Sequence, residues 1–437
     1  MRTIMSVRNV GISIKAVLGT ALMTSVLSLP AKADLFDLNV VVEDQVTATA
    51  SYKKAEDVIR AVENDELARL LPEYFSQNGN RNCEFPQMQR YCPTILAGIG
   101  FRGLPMFLSF DNRNSNTLTF RVPSINLQQS FNGPTRDASV DLLVDFLESD
   151  GGDLLNRLQA ELARTSPSDP VAGNPSSLQG SLIAQDFAAA GFGAGNSSVS
   201  GASATSQDRE NRLEIGIRAG TFTTGEFSGK SYTVPLSWTM RNLDDPRYQL
   251  QIRLPITYTE TEGSETYAAN LGVGFQFPMG DNWYLTPQLS YGATGSVDQG
   301  SIGQLVSGTL TSRYEIQLDT TKVTIANMLG YMQTLPFSAG DLKYDPGIKN
   351  TITKNGVMVE MPTSWQLFGR GTSIQGAGAV THLMGDDLFL NTYYDLSLTF
   401  GTQNTGTSSL TDFIRMGVNY TFGDDYNAVT ASIGYQF

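Results

Sequence analysis

An alternation of apolar and polar residues runs from Asn211 to the end of the chain and constrains the fold more than any other feature. In one stretch, positions 248, 250, 252, 254, 256 and 258 hold Tyr, Leu, Ile, Leu, Ile and Tyr, whereas the five positions between them hold Gln, Gln, Arg, Pro and Thr. Successive side chains of a β-strand point to opposite faces. The period of two therefore predicts strands with one apolar face and one polar face.

About twelve such segments follow one another, each close to the ~10 residues that a tilted transmembrane strand needs. Aromatic residues recur at segment ends, as at Trp283 and Tyr291, where a ring can lie at the headgroup boundary. We therefore predict a mainly β fold with a transmembrane antiparallel up-and-down β-barrel over residues 211–437. The segments are 213–218, 232–240, 248–258, 267–277, 283–291, 305–318, 323–331, 350–361, 374–383, 390–400, 414–422 and 429–437.

A soluble β-sandwich also alternates with period two and is the alternative interpretation. The segments weigh against it because their apolar residues are large and continuous, their opposite faces are polar or small, and they follow one another as simple hairpins. Beyond the first 33 residues no run of 18 apolar residues occurs, and the mean hydropathy is -0.16. Any membrane crossing is therefore expected to use strands.

The first 33 residues have the layout of a secretory signal peptide. Basic residues up to Lys15 precede an apolar stretch over 16–29, and the sequence AKA at 31–33 offers a cleavage site before Asp34. The apolar stretch is shorter than the ~20 residues of a membrane-spanning helix, which disfavours an anchor. Cleavage removes four basic residues and no acidic one, so the formal charge becomes -13 minus 4, or -17. This acidity argues against nucleic acid as a partner.

The region between the signal and the barrel divides into two parts. Residues 34–164 predict a small α+β domain, with extended segments at 38–50, 94–110 and 116–122 and helices at 53–74, 138–148 and 154–164. Residues 165–210 are rich in Ser, Gly and Pro and are predicted to form a linker. Within the linker, residues 181–190 favour a short helix, and a solvated flexible tether is the open alternative.

The two cysteines, Cys83 and Cys92, are separated by eight residues in the N-terminal region. In an oxidising compartment we expect them to form a disulfide. The short loop that they close predicts roughly 2 to 3 kcal/mol of stabilisation from chain entropy. A metal site is disfavoured because no histidine is near and the spacing fits no zinc pattern.

Candidate chemistry is sparse, so we predict that the chain is not an enzyme and has no cofactor. The only histidine, His382, lies near Asp386 and Asp387, but no serine occupies a G-x-S-x-G context. Acidic residues in predicted loops show no repeated ligand spacing for calcium; they are Glu260, Glu262, Glu265, Asp298, Asp341 and Asp345. Charges of both signs are predicted to face the lumen and to pair with one another or with an inserted segment; they are Glu214, Arg218, Arg253, Lys322, Lys354, Glu360, Asp395 and Arg415.

The chain ends in ASIGYQF, which places Ile433, Tyr435 and Phe437 on one face of the last strand. This ending resembles the C-terminal assembly signal by which the barrel-assembly machinery recognises outer-membrane proteins, although Ser432 stands where a glycine is common. The complete layout of signal peptide, N-terminal region, small-residue linker and about twelve strands is similar to that of solitary autotransporter-type barrels.

The resemblance implies an outer-membrane protein whose linker occupies the lumen and whose residues 34–164 are either exported or held at the membrane. The expected partners are outer-membrane lipid, lipopolysaccharide and the barrel-assembly machinery, with a monomer as the expected state. The N-terminal region lacks the repeats of a β-helical passenger. A small outer-membrane pore or uptake channel with a periplasmic domain is therefore the runner-up, and a barrel hydrolase is third.

Overall fold

The computed structural model describes residues 34–43, 46–55, 57–58, 93–149, 151–192, 211–339, 342–402 and 413–436. These residues form two compact units. Unit 1 contains the described residues up to Ser166 together with Asp298–Gly300 and Ser338–Pro346, and unit 2 contains the rest from Pro167. The predicted signal peptide, the predicted Cys83–Cys92 disulfide and Phe437 lie outside the described residues. No helix in the described part is long and apolar enough to cross a membrane.

Unit 1 contains a six-stranded antiparallel sheet in the order β2-β1-β3-β4-β5-β6. A turn at Arg102–Gly103, where both residues have positive φ, reverses the chain between β3 and β4, so the predicted segment 94–110 is two strands. Likewise, the predicted segment 38–50 is a hairpin. The strands are β1 (Phe36–Val42), β2 (Val46–Tyr52), β3 (Ile95–Phe101), β4 (Leu104–Phe110), β5 (Thr117–Val122) and β6 (Leu127–Asn132).

Two helices, α1 (Arg136–Ser149) and α2 (Gly151–Thr165), supply the rest of the core of unit 1. In α2, Leu154, Leu158 and Leu162 recur every four residues, which places them on one helix face. They pack with the buried side chains Leu104, Phe110, Leu118, Phe120, Val122, Phe131, Val140 and Leu143. The burial of one apolar stripe of each helix against the sheet explains why this part of the chain folds as an α+β unit.

The first residue of α1, Arg136, ties neighbouring loops to the helix through its buried guanidinium. Its Nε donates to the Ser115 carbonyl at 2.8 Å and its Nη1 donates to the Pro93 carbonyl at 2.9 Å. The guanidinium carbon also lies 4.4 Å from the centroid of the Phe110 ring. Burial lowers the pKa of Arg136 to about 10, so the side chain stays charged at neutral pH.

Unit 2 is a closed antiparallel barrel of twelve spans, which confirms the predicted fold class. Its sheet has 14 strands, but β8 and β9 are halves of one span interrupted at Pro235, and β10 and β11 are halves of another interrupted at Leu254–Pro255. The spans are β7 (Asn211–Thr224), β8 (Phe227–Val234) with β9 (Leu236–Arg241), β10 (Gln249–Arg253) with β11 (Ile256–Thr261), β12 (Ser264–Pro278), β13 (Trp283–Ser296), β14 (Ser301–Leu318), β15 (Thr321–Leu335), β18 (Lys349–Leu367), β19 (Arg370–Gly385), β20 (Thr392–Thr402), β21 (Phe413–Gly423) and β22 (Tyr426–Gln436). A separate hairpin pairs β16 (Phe337–Ala339) with β17 (Leu342–Tyr344).

The first and last spans close the barrel by pairing with each other, from Tyr426 opposite Thr224 to Gln436 opposite Glu214. Because the number of spans is even, β7 begins and β22 ends at the same end of the barrel, which we call the C-terminal end. The turns at 319–320 and 368–369 lie at this end. The two-residue turns at 225–226, 262–263 and 424–425 lie at the other end, which we call the opposite end.

The outward face of the barrel is apolar and is bordered by aromatic residues. On β12, the exposed Tyr267 near the opposite end and the exposed Phe277 near the C-terminal end are ten residues apart. At about 3.3 Å per residue and a typical tilt of about 40°, this separation corresponds to a band roughly 25 Å tall. Tyr267 donates to Glu265 at 3.0 Å, and Trp283 donates to Ser312 at 2.9 Å, so the polar atoms of these rings have partners.

Candidate functional site in the barrel lumen

The segment 167–192, which belongs to the predicted linker, lies inside the barrel. It enters at the opposite end, where the Pro167 carbonyl accepts from Thr224 Oγ1 at 2.8 Å and the Gly173 carbonyl accepts from the Leu390 backbone N–H at 2.9 Å. From there it runs towards the C-terminal end, where Gly191 packs close to Ala326. A solvated tether is therefore not what this part of the chain forms.

Residues 167–177 form a compact coil that is held together by hydrogen bonds of Asp169. The Asp169 carboxylate accepts from the backbone N–H groups of Val171 and Ala172 at 2.9 and 3.0 Å, as an Asx turn does. Asn174 donates to the Asp169 carbonyl at 2.9 Å. These contacts satisfy polar groups that a loop buried in a lumen would otherwise leave unpaired.

Helix α3 (Leu178–Gly191) follows this coil. Its N-cap is Ser177, whose hydroxyl accepts from the Gly180 backbone N–H at 3.3 Å. Leu178, Leu182, Ile183, Phe187 and several small residues of the helix are buried, so apolar side chains surround it rather than forming one stripe. A helix that is apolar all round is typical of a buried position.

One buried carboxylate, that of Asp186, fixes α3 to the barrel wall. Its Oδ1 lies 2.8 Å from Nη2 of Arg253, and the two side chains are only 2% and 5% exposed. Ser290 donates to the same oxygen at 2.7 Å, and Ser307 donates to Oδ2 at 3.3 Å. Around them, Gln288 donates to the Asp186 carbonyl at 2.9 Å, so three separate spans hold this one residue.

Small residues of the wall allow the helix to approach this closely. A Cβ atom at Gly292 would lie 2.8 Å from Cδ1 of Leu178, and one at Gly303 would lie 2.6 Å from Cγ2 of Val171. Both distances are shorter than van der Waals contact, so larger residues would displace the inserted segment. These glycines lie on β13 and β14, two of the spans that contact α3.

The helix covers only one side of the lumen. Inward-facing residues of β12–β14 such as Asn270, Ser290 and Ser307 are buried beneath it. Across the lumen, inward-facing residues of β19–β22 and of β7, β8 and β11 line open space, and several of them, such as Ser397 and Thr399, remain partly accessible. We call this second wall the accessible wall. A cavity of about 240 Å³ lies between it and α3.

A row of inward-facing residues, which the strand register brings side by side, crosses the accessible wall. We call it the polar row, and its members are Gln375, Thr399, Gly417, Ser432, Arg218, Thr233 and Thr257. The Thr399 hydroxyl donates to Gln375 Oε1 at 3.2 Å and accepts from Arg415 at 2.9 Å, and the hydroxyls of Thr233 and Thr257 are 3.0 Å apart. Among the described residues Gln375 Nε2 has no hydrogen-bond partner, although the side chain is 4% exposed and lines the cavity.

Lumenal charges of opposite sign lie next to one another. Lys354 lies 2.6 Å from Asp395, Arg415 lies 3.6 Å from Glu360, and Lys322 lies 3.1 Å from Glu315. Arg253 pairs with the inserted helix, as described above. The predicted lumenal residue Glu214 accepts from Ser237 at 2.9 Å, and Arg218 lines the cavity. The sequence predicted the lumenal charges of the strands but not Asp186, because the composition of the linker does not distinguish a buried aspartate from a solvated one.

His382, the histidine that the sequence singled out, contacts a threonine rather than the nearby Asp386 in the described residues. His382 lies on the outward face of β19, and its Nδ1 is 2.7 Å from the Thr392 hydroxyl. Asp386 instead accepts from the Lys349 backbone N–H at 2.6 Å. Of the predicted loop acids, Glu262 accepts from Ser228, and Asp298 lies 2.9 Å from Lys54. No group of three metal-ligating side chains occurs in the part of the chain that the structure describes.

The last strand places Ile433 and Tyr435 on the outward face of the barrel. In the pairing of β22 with its neighbours, Ile433 lies opposite Ile217 on one side and Met416 on the other. Ile433 is half exposed, as an outward apolar residue of a barrel is expected to be. The two residues thus share the face that the sequence predicts for the assembly signal.

Comparisons with known proteins complete the description. No protein-family model and no curated protein matches the sequence. The β domain of the Bordetella autotransporter BrkA is similar in structure at 11% identity, with a TM-score of 0.42 over 52% of this chain and 100% of that one. The translocator domain of the autotransporter NalP from Neisseria meningitidis has 12% identity and a TM-score of 0.41 over 53% and 89%. The KdgM porin has 9% identity and a TM-score of 0.31 over 51% and 99%. Autotransporter domains and porins are thus both among the similar structures.

Proposed function

We propose that this chain is a non-enzymatic outer-membrane barrel that anchors its own N-terminal unit and exposes it on the cell surface. The observation that carries the proposal is the inserted segment, which enters the barrel at the opposite end and is held in the lumen by the contacts of Asp186. A segment fixed in this way joins the N-terminal unit to the membrane without a transmembrane helix.

The outward face supports a membrane-spanning role. Its apolar band of roughly 25 Å, bordered by aromatic residues, has the height of the hydrocarbon region that such barrels cross. Together with the signal peptide expected at residues 1–33, this favours the outer membrane, with outer-membrane lipid and lipopolysaccharide as surroundings. Ile433, Tyr435 and Phe437 are the residues that the barrel-assembly machinery would recognise.

The direction of insertion follows from the even number of spans. If the last strand ends in the periplasm, as is usual for single-chain barrels, the C-terminal end faces the periplasm and the opposite end faces the medium. The chain that precedes Pro167 then leaves the barrel on the outer side. An inverted barrel would place the N-terminal unit in the periplasm instead.

Protease accessibility of epitopes in intact cells tests the proposal. An epitope after Asp34 is expected to be digested, as is a control epitope in the turn at 262–263. A second control in the turn at 319–320 is expected to be protected until the outer membrane is permeabilised. Protection of the Asp34 epitope together with digestion at 262–263 would exclude surface display by this barrel.

The absence of catalysis is tested separately at His382. We expect the purified chain to show no lipase or protease activity. If hydrolysis were found, and if His382→Ala abolished it, the barrel would be an enzyme and the anchoring role would be incomplete. Since His382 contacts Thr392 on the outward face, the same substitution is expected to leave assembly unchanged.

A second function, that of a small pore or uptake channel, is favoured by a separate observation. Helix α3 leaves the accessible wall uncovered, and hydroxyl-bearing side chains line the cavity beside it. Anchoring and passage of solutes are therefore compatible in this barrel, because the helix occupies one side of the lumen.

A further inference from the structure

Two asparagines interrupt the apolar outward face of the barrel. Asn327 on β15 and Asn355 on β18 lie directly opposite each other in the strand register, and both are exposed. We propose that these two residues, which we call the amide pair, form the contact between two copies of this chain in the membrane. The inference rests on the membrane-spanning barrel proposed above and adds a partner to it.

The alternation along each strand shows that the amide pair faces outward. On β15, Asn327 lies between Ala326 and Met328, which are buried on the lumenal side. On β18, Asn355 follows Lys354, whose side chain is buried in the lumen. Successive residues of a strand point to opposite faces, so both amides point away from the lumen.

The depth of the amide pair follows from the aromatic border of the band. Tyr331 is exposed on the same face of β15, four residues from Asn327 towards the opposite end. Four residues at about 3.3 Å each, on a strand tilted by about 40°, correspond to about 10 Å of height. In a band roughly 25 Å tall, Asn327 therefore lies near the middle, and Asn355, directly opposite it, lies at a similar depth.

Lipid chains cannot satisfy a side-chain amide at this depth. Each amide carries two N–H donors and one carbonyl acceptor. In the part of the chain that the structure describes, neither Asn327 nor Asn355 has a hydrogen-bond partner for its side chain. A bond between the two would still leave N–H groups unpaired. An unpaired polar group in hydrocarbon is unfavourable, and polar residues in membranes typically bond to a neighbouring protein segment.

Other outward positions show that this polarity is local. Leu271 on β12 and Leu396 on β20 are exposed apolar residues near the middle of their spans. Ser312 on β14, which pairs with Asn327 in the register, is polar but accepts from Trp283 Nε1 at 2.9 Å. The amide pair thus differs from its surroundings in having both an outward position and unused hydrogen-bonding groups.

A second copy of the chain supplies the matching groups. Copies of one chain enter the membrane in the same orientation, so the amide pair lies at the same depth in each. A two-fold axis along the membrane normal, placed between β15 and β18, brings Asn327 of one copy against Asn355 of the other, and the same contact recurs across the axis. Because an amide both donates and accepts, the pair is complementary to itself.

The spans on both sides of the amide pair carry outward glycines. A Cβ atom added at Gly308 on β14 or at Gly376 on β19 would meet no atom within 4 Å. Small residues at such positions let membrane segments approach closely. A dimer is thus the expected state, in place of the monomer expected from the sequence.

Sedimentation equilibrium of the full chain in density-matched detergent micelles measures the association. We expect a mass twice that of one chain. A parent chain that stays monomeric over the accessible concentrations would overturn the inference.

Two substitutions at Asn327 provide a matched comparison. Leucine and glutamine are similar in size, but only glutamine keeps the amide. We expect Asn327→Leu to raise the dissociation constant of the dimer at least tenfold and Asn327→Gln to raise it less than threefold. Leucine is favourable on a lipid-facing surface, so Asn327→Leu is expected to fold, which heat-modifiable migration in gels checks. A dimer that Asn327→Leu leaves unchanged would use another face and would overturn the inference.

The variant Asn327→Leu with Asn355→Leu tests whether the two asparagines form one contact. Residues in direct contact have non-additive effects. We therefore expect the double variant to raise the dissociation constant by less than the product of the two single effects. A fully multiplicative effect would place the two residues in separate contacts and would contradict the two-fold arrangement.

Flotation of phosphatidylcholine vesicles that contain the full chain separates this inference from the proposed function. A chain that does not float with lipid contradicts the membrane-spanning barrel and the dimer together. A chain that floats with lipid but is monomeric in micelles contradicts only the dimer.

Discussion

Replacing Asp186 by alanine should loosen α3 from the wall by a predictable amount. The substitution leaves Arg253 buried at 5% exposure and without the carboxylate that lies 2.8 Å away. Breaking a buried ion pair on one side typically costs about 3 to 5 kcal/mol, because the remaining charge stays desolvated. Two hydroxyls, those of Ser290 and Ser307, also lose their acceptor. We therefore expect α3 to open from the wall at least 3 kcal/mol more easily.

Native-state hydrogen exchange of the peptide that covers residues 178–191 measures this opening. A change of 3 kcal/mol corresponds to an exchange rate about 150-fold faster, since about 1.4 kcal/mol is a factor of ten. The control is Ser181→Ala, which removes two neutral hydrogen bonds, from Gln185 at 2.7 Å and from Asn270 at 3.2 Å, and is expected to cost only about 1 to 2 kcal/mol.

The double variant Asp186→Leu with Arg253→Met distinguishes a charge effect from a general loss of packing. Because neither charge remains buried, we expect exchange to be slower than in Asp186→Ala. The reasoning would be refuted by exchange in Asp186→Ala within fivefold of the parent chain. It would equally be refuted if residues 178–191 of the double variant exchanged as fast as those of Asp186→Ala, or faster.

Three further outcomes are expected. Arg136→Met should destabilise unit 1 by about 3 kcal/mol, because the carbonyls of Ser115 and Pro93 lose a charged donor. Pulse proteolysis of the full chain measures this change, and a loss under 1 kcal/mol would contradict the role of Arg136. Gly292→Val should displace α3 through a clash with Leu178 and speed exchange of residues 178–191, whereas Gly376→Val, where no atom lies within 4 Å of the added Cβ, should not. Leu398→Arg should weaken folding into lipid vesicles by about 2 to 4 kcal/mol if its side chain lies near the middle of the bilayer, and no change in vesicle folding would contradict that placement.

The barrel was predictable because its rule is local. Alternation of apolar and polar residues needs no knowledge of partners, and it predicted about twelve strands from residue 211 onward. The two interrupted spans show the limit of that rule. Pro235 and Pro255 cannot donate to a ladder, so each divides one span into two hydrogen-bonded halves, while the alternation continues across it.

The site was less predictable because it depends on contacts between distant residues. Arg253 alternates with apolar neighbours and was therefore expected in the lumen, but its partner Asp186 lies in a segment whose composition resembles that of a solvated linker. The polar row depends on strand register, which places Gln375, Thr399, Gly417 and Ser432 next to one another in that order on four successive spans. Composition contains no information about register, which is set by turns and pairing.

The contacts of Asp186 also have a mechanical consequence. Tension on the chain that precedes Pro167 would first load the contacts of Pro167 and Gly173 at the opposite end, and would reach Asp186 only after they open. The bonds of Asp186 to Arg253, Ser290 and Ser307 all meet at one carboxylate, so the load would then act on the three bonds together. The barrel would thus resist a steady outward pull more strongly than the equilibrium strength of any single contact suggests.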